Sequence, residues 1–255
     1  MPEQGQQADR RSEIRKKVGR LRARLHARLL ESSRAVGFNP TYLSRLCRPA
    51  TVIDVGVGYG TWPLHKAYPA AKFVLVEPLV EYRPHIARLE RAYDCTVLYT
   101  AVGECAGKLD INVDVDYPMK SSFSQRTTAD AVDGPLAPRT VPVVTLDSLV
   151  ATLPELRSPI LLKIDTEGHE LSVLKGATEL LPSVDTVIAE VSIAKRFEDG
   201  YEFEELVGFM SQNDFYVYSF LTMPFPRRVD RQRFTDVVFK NRRLLPPGPH
   251  VNHRA

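Results

Sequence analysis

The chain has few of the features that would hold a protein together from outside its core. Its 255 residues include three cysteines, Cys47, Cys95 and Cys105. Their odd number and lack of CxxC spacing argue against a disulfide framework or a cysteine zinc site, so reduced thiols are expected. Long apolar runs are missing. Stretches such as ILL at 160–162 fall far short of the roughly 20 residues a membrane-spanning helix needs. No apolar signal core stands near the N-terminus, so the default expectation is a cytoplasmic location. Net charge is also low, at +3, in a chain that is 44% hydrophobic and 25% charged. Those proportions are ordinary for a globular protein.

The charge is unevenly placed. Residues 1–34 hold ten Lys/Arg against four Asp/Glu, or +6, whereas the remainder holds 24 against 27, or −3. Ile14, Val18, Leu21, Leu25 and Leu29 fall on one helical stripe among arginines. This spacing predicts a basic amphipathic helix over 10–34. It packs one face on the domain, or it touches an anionic surface such as a membrane or a partner. Few aromatics interleave with its arginines, so no nucleic acid is expected as a partner.

From residue 51 strand and helix patterns alternate. TVIDVG (51–56) reads as a buried strand, 61–68 as a short helix, KFVLVE (72–77) as a strand, 79–93 as a helix and CTVLYTAV (95–102) as a third strand. This is the order of a parallel sheet with crossover helices. KLDINVDVD (108–116) alternates as an antiparallel or edge strand would. Residues 117–139 read as a long polar loop, of the kind that is either a functional lid or disordered. A short strand and a helix starting near Thr145 follow. Alternation resumes over 159–165, 169–181, 185–191 and 201–212. FYVYSFL (215–221) and FTDVVFK (234–240) read as a hairpin around a basic loop that carries Arg227 and Arg228. The expected organisation is an N-terminal extension (1–49), one α/β domain (50–240) and an unstructured tail (241–255).

Three segments carry chemistry. DVGVGYGT (54–61) places Asp54, Gly56, Gly58, Tyr59 and Gly60 at the end of the first strand. Glycines there let backbone approach a ligand and expose N–H groups at a helix start. The dinucleotide fingerprint G-x-G-x-x-G/A is not met, because the third glycine falls one residue early. Glu77 and Pro78 close the second strand. A carboxylate at this offset can accept hydrogen bonds from both ribose hydroxyls of an adenosine ligand. The third segment is LLKIDTEGHE (161–170), in which an apolar strand ends in Asp165, Glu167 and His169. In open parallel sheets ligands bind beyond the carboxyl ends of the strands, so this tip is a candidate catalytic site.

The Asp54–Gly60 loop and Glu77-Pro78 resemble the cofactor half of class I S-adenosylmethionine-dependent methyltransferases. LLKIDTEGHELSVLKGA (161–177) closely resembles the signature of the FkbM-type methyltransferase family. TAVGE (100–104), SSFS (121–124), VPVVTLDSL (141–149) and IAEV (188–191) follow in family-like order. Departures are Val57 and Gly58, where Ala and Asn are common, and His169, where a small residue is usual. Residues 1–49 have no counterpart. The resemblance implies a Rossmann-like, seven-stranded, mostly parallel sheet with a C-terminal antiparallel hairpin, to which this chain adds the N-terminal basic helix. It implies S-adenosylmethionine over strands one to three and the methyl acceptor beyond strands four and five. Gly56, Gly58 and Gly60 would face the methionine part, Glu77 the ribose, and Ala101 with Val102 the adenine.

The expected activity is methyl transfer to a hydroxyl of a sugar, glycolipid or glycosylated natural product. Such a hydroxyl needs a base or a metal ion to take up its proton. Asp165 and Glu190 at adjacent strand tips could bind Mg²⁺ through oxygens; alternatively one carboxylate or His169 acts as a plain base. Ser121 and Ser122 in the long loop, with Arg227 and Arg228, are the candidate acceptor contacts. Two other readings are a nicotinamide dehydrogenase and an inactive binding module for nucleic acid or membranes.

Overall fold

A computed structural model describes residues 38–114, 118–130, 135–154, 156–221 and 233–244. The basic helix expected over 10–34, the loop with Arg227 and Arg228, and the tail beyond 244 lie outside the described residues. Helix α1 (Pro40–Leu46) opens the described chain, with Asn39 accepting a hydrogen bond from the Tyr42 N–H at 2.8 Å as its cap. Strand β1 (Thr51–Val55), helix α2 (Trp62–Ala67), strand β2 (Lys72–Val76), helix α3 (Arg83–Ala92) and strand β3 (Cys95–Leu98) follow. Strands β4 (Ala101–Val102), β5 (Gly107–Asp114) and β6 (Leu136–Val144) come next. Helix α4 (Leu146–Val150), strand β7 (Ile160–Ile164), helix α5 (Glu170–Lys175), strand β8 (Val184–Ser192), helix α6 (Phe203–Gln212) and strands β9 (Phe215–Phe220) and β10 (Phe234–Asn241) complete it.

Seven strands form one sheet in the order β3-β2-β1-β7-β8-β10-β9. The first five are parallel, whereas β10 runs antiparallel to both neighbours. The order reverses between β1 and β7, which makes their tips the topological switch point. Every residue of β1 and β7 is buried, as expected of a parallel sheet covered on both faces.

Because strand side chains alternate, register sorts the two faces. Ile53, Val55, Val74, Leu162, Ile164, Val187 and Val237 join one core with α4, α5 and α6. Val52, Phe73, Leu75, Leu161, Ile188 and Val238 join the other with α1, α2 and α3. Continuing the second face toward the strand tips gives Asp54, Lys163 and Asp165, then Glu190 and its cross-strand partner Asp236. One face is therefore apolar at its base and charged at its carboxyl end.

Three details differ from the sequence expectation. CTVLYTAV is not one strand: the chain bends at Tyr99–Thr100, and β4 leaves the main sheet to pair with β6. β5 is an antiparallel edge strand as expected, in a separate three-stranded sheet, but its partner β6 begins at Leu136, inside the stretch expected as loop. The long loop is also less free than its composition suggests. It carries short 3-10 turns at Pro118–Lys120 and Thr128–Asp130, and it is tied by bridges Asn112↔Ser122 and Arg126↔Phe197. Helix α1 belongs to this body: Leu43 is fully buried and its carbonyl accepts from the Tyr68 hydroxyl at 2.6 Å. Among the described residues no helix is long and apolar enough to cross a membrane.

Candidate active site

The loop after β1 is shaped by glycine. Gly56 adopts φ +81°, and a Cβ there would lie 1.9 Å from the backbone oxygen of Asp165. The tips of β1 and β7 therefore meet backbone to backbone, fixed by Asp165 N–H donating to Val55 O at 3.0 Å. Two residues on, the Gly58 N–H donates to Glu77 Oε2, and the Leu79 N–H donates to Glu77 Oε1, both at 2.9 Å. Glu77 is thus held at the mouth of the loop. Burial pushes its carboxyl up to about 7, against the pull of those two amides and Lys163. A cavity of about 720 Å³ opens here, lined by Gly56, Gly58, Tyr59, Gly60, Glu77 and Pro78 at this end. Tyr59 stands edge-on to Tyr82, with ring centroids 5.0 Å apart.

The other end of the same cavity is lined by Lys163, Asp165, Thr166, Glu167, Glu190 and Asp236. The Asp165 side chain keeps 37% of its surface exposed, and its Oδ2 lies 3.4 Å from Lys163 Nζ. Glu167 has a left-handed backbone (φ 52°). Its carboxylate accepts from Arg126 at 2.9 Å and Arg196 at 2.6 Å, while its carbonyl accepts from the Ser122 hydroxyl at 2.6 Å. Glu190 accepts from the other arm of Arg196 at 2.6 Å. Burial, and then repulsion from Asp165 and Glu167, raises the Glu190 carboxyl well above the usual carboxylate range.

This arrangement does not fit the Mg²⁺ site expected at Asp165 and Glu190. The Arg196 guanidinium already binds Glu190 and Glu167 together, and that neutralises the charge a divalent cation would seek. Among the described residues no group of three or more His, Cys, Asp or Glu is placed to hold a metal ion.

The remaining predicted residues separate. Asp54 is fully buried and does not line the cavity. His169 stands at the N-cap position of α5 without a side-chain capping bond and lines a second cavity of about 360 Å³, with its ring 5.0 Å from that of Phe123. Burial lowers its pKa. It is not brought to the carboxylates, because Gly168 turns the chain between Glu167 and His169. Ala101 and Val102 are buried in β4 and line neither cavity. Ser121 lines the main cavity, and its Oγ accepts from the Asp114 N–H; Ser122 acts from behind by holding Glu167.

Arg196, Arg126 and Lys163 were not singled out as site residues from the sequence. Arg126 lies two residues past SSFS, and nothing local to Arg196 marks it. Glu170, from the same signature, is structural. Its Oε1 accepts from the N–H groups of Thr166 (2.9 Å) and Gly168 (3.0 Å), and its Oε2 from the Tyr201 hydroxyl (2.8 Å). It thereby clasps the turn that presents Asp165 and Glu167.

With its sheet strands renumbered along the chain, the order is 3-2-1-4-5-7-6. That order, a glycine loop after the first strand and an acid closing the second define a Rossmann-like class I methyltransferase fold. More particularly, the chain belongs to the FkbM methyltransferase family: the Methyltransferase FkbM domain matches residues 54–217. The hexuronic acid methyltransferase AglP of Haloferax volcanii is 46% identical over 52 residues, which span 20% of this chain and 21% of that protein. Among solved structures, the pyocyanin biosynthetic protein PhzM is similar at 14% identity and a TM-score of 0.42, covering 81% of this chain and 54% of its own. A precorrin-6y C5,15-methyltransferase from Geobacter metallireducens is similar at 10% identity and a TM-score of 0.43, covering 82% and 88%.

Proposed function

We propose that the protein moves a methyl group from S-adenosylmethionine to a hydroxyl of a sugar, glycolipid or glycosylated natural product. The observation that carries this reading is one cavity at the switch point with Glu77 at one end and the exposed carboxylate Asp165 at the other. Each Glu77 oxygen accepts one backbone amide, and each has a lone pair left for a ribose hydroxyl. Gly56, Gly58 and Gly60 leave room for the methionine part, with Tyr59 and Pro78 along the adenosine. A cavity of this volume lies within the usual range for small-molecule and cofactor sites.

The cofactor supplies a methyl group already activated by its sulfonium, so the chain chiefly aligns the acceptor and takes its proton. Asp165 receives that proton. Glu167 and Glu190 are occupied by Arg126 and Arg196 and shape the acceptor wall. Ser121 lines that wall, and Ser122 braces it through Glu167. The sugar class is supported by the family resemblance and by the short match to a hexuronic acid methyltransferase. Peripheral membrane contact through residues 10–34 would bring the chain to a surface that carries glycolipid acceptors.

Intact-mass screening of a glycoside panel with methyl-labelled S-adenosylmethionine tests the reading. Transfer to at least one glycoside is expected, at the same rate with and without EDTA. Asp165→Asn is expected to lower turnover by roughly 10²–10⁴-fold, the usual worth of general base catalysis. Unchanged turnover in that variant would remove Asp165 from the mechanism.

A further inference from the structure

Lys163 is a charged residue in the middle of an otherwise apolar strand, and only 5% of it is exposed. Its cross-strand partner in β1 is Asp54, so parallel register places both side chains on one sheet face. Nζ lies 3.3 Å from Asp54 Oδ1 and 3.4 Å from Asp165 Oδ2, and it donates to the Gly56 carbonyl at 3.2 Å. Asp54 itself is fully buried, and among the described residues neither of its oxygens has a hydrogen-bond partner. Among the described residues its one ion pair is with Lys163.

We infer that Asp54 and Lys163 act as one positioning pair: Asp54 anchors the Lys163 ammonium, and Lys163 holds the glycine loop and Asp165 in register across the switch point. Asp54 thus serves the cofactor through Lys163 and does not touch it. Among the described residues that line this end of the cavity, the ammonium is the only cation. Two carboxylates and a backbone carbonyl, from the carboxyl ends of β1 and β7, converge on it. A fully buried carboxylate whose cation is removed is strongly destabilising, so the pair is also coupled through folding.

This inference rests on the reading that the cavity holds S-adenosylmethionine. The test uses S-adenosylhomocysteine as a probe and needs no acceptor. Affinity is measured by calorimetry for wild type, Asp54→Asn/Lys163→Met, Lys163→Arg and Asp165→Asn, with a melting temperature for each. The double variant removes both charges together and so leaves no buried charge unpaired. It is expected to stay folded yet bind the probe at least about 10-fold more weakly, since the Gly56 carbonyl loses its donor. Lys163→Arg, which keeps the charge, is expected to recover part of that loss, and Asp165→Asn to bind within about threefold of wild type. A folded double variant that binds as tightly as wild type would overturn the positioning role, as would a lowered melting temperature with unchanged affinity. A wild-type chain that binds no S-adenosylhomocysteine would overturn the cofactor reading itself, and this inference with it.

Discussion

Replacing Gly56 by alanine should damage the site more than the same change at any other glycine of the loop. The new Cβ would stand 1.9 Å from Asp165 O, and real contacts essentially never fall below 3.0 Å, so the strand tips must part by about 1.1 Å. The obstacle is backbone, which cannot rotate aside as a side chain does. Parting the tips stretches the 3.0 Å bond from Asp165 N–H to Val55 O, a loss of about 1 kcal/mol. The left-handed φ of +81° adds roughly 1–2 kcal/mol for a residue with a Cβ. Together the change costs about 2–3 kcal/mol, or ~4–12 °C in melting temperature for a domain of this size. Gly58 provides the control. Its φ is +53°, but the nearest atom to a Cβ is Tyr82 Cζ at 3.9 Å, so Gly58→Ala costs only the backbone term, about 1–2 kcal/mol. Thermal melts and calorimetry with S-adenosylhomocysteine read both variants. Gly56→Ala should lose at least about 10-fold in affinity and melt well below Gly58→Ala. Equal stability and affinity for the two would refute the claim that backbone contact at the switch point builds the site.

Further outcomes follow from single groups. Ribose hydroxyls donate to an ionised carboxylate, so affinity for S-adenosylhomocysteine should rise as pH climbs through about 7, where Glu77 ionises; Glu77→Gln should flatten that profile. Stability of the ligand-free protein should move oppositely. Glu77 holds its proton more tightly folded than at its ordinary value of 4.5, so its contribution is full below that value and is lost as pH rises through about 7. Glu170→Ala leaves the N–H groups of Thr166 and Gly168 without their acceptor and takes from the Tyr201 hydroxyl its 2.8 Å partner, leaving it only the Glu190 carbonyl at 3.3 Å; it should cost about 2–3 kcal/mol, read as a fall in melting temperature. Arg196→Met frees Glu167 and Glu190 from their shared cation; acceptor turnover should fall while S-adenosylhomocysteine binding stays within about threefold.

Much of this was written locally in the chain. β1 and β7 announce themselves as short apolar runs, and the hairpin of β9 and β10 as two strand patterns around a basic loop. Glu77 could be placed because its distance from the glycine loop reflects one strand-helix-strand unit. Even the Asp54, Lys163 and Asp165 cluster follows from period-two alternation once β1 and β7 are neighbours. What could not be read was long-range pairing. Arg196 reaches Glu167 from 29 residues away, and no local pattern encodes that. The departure of β4 from the main sheet depends on a partner, β6, some 40 residues later. His169 looked catalytic because it stands two residues after Glu167 at the strand tip, but Gly168, at φ +100°, turns it into another cavity.

The central claim is that the switch-point cavity is built for S-adenosylmethionine. Calorimetric titration of the full chain with S-adenosylhomocysteine, and separately with NAD, tests it most directly. Saturable one-site binding of S-adenosylhomocysteine with no heat from NAD is the expected result, weakened at least about 10-fold in Gly56→Ala. Binding of NAD without binding of S-adenosylhomocysteine would contradict the account.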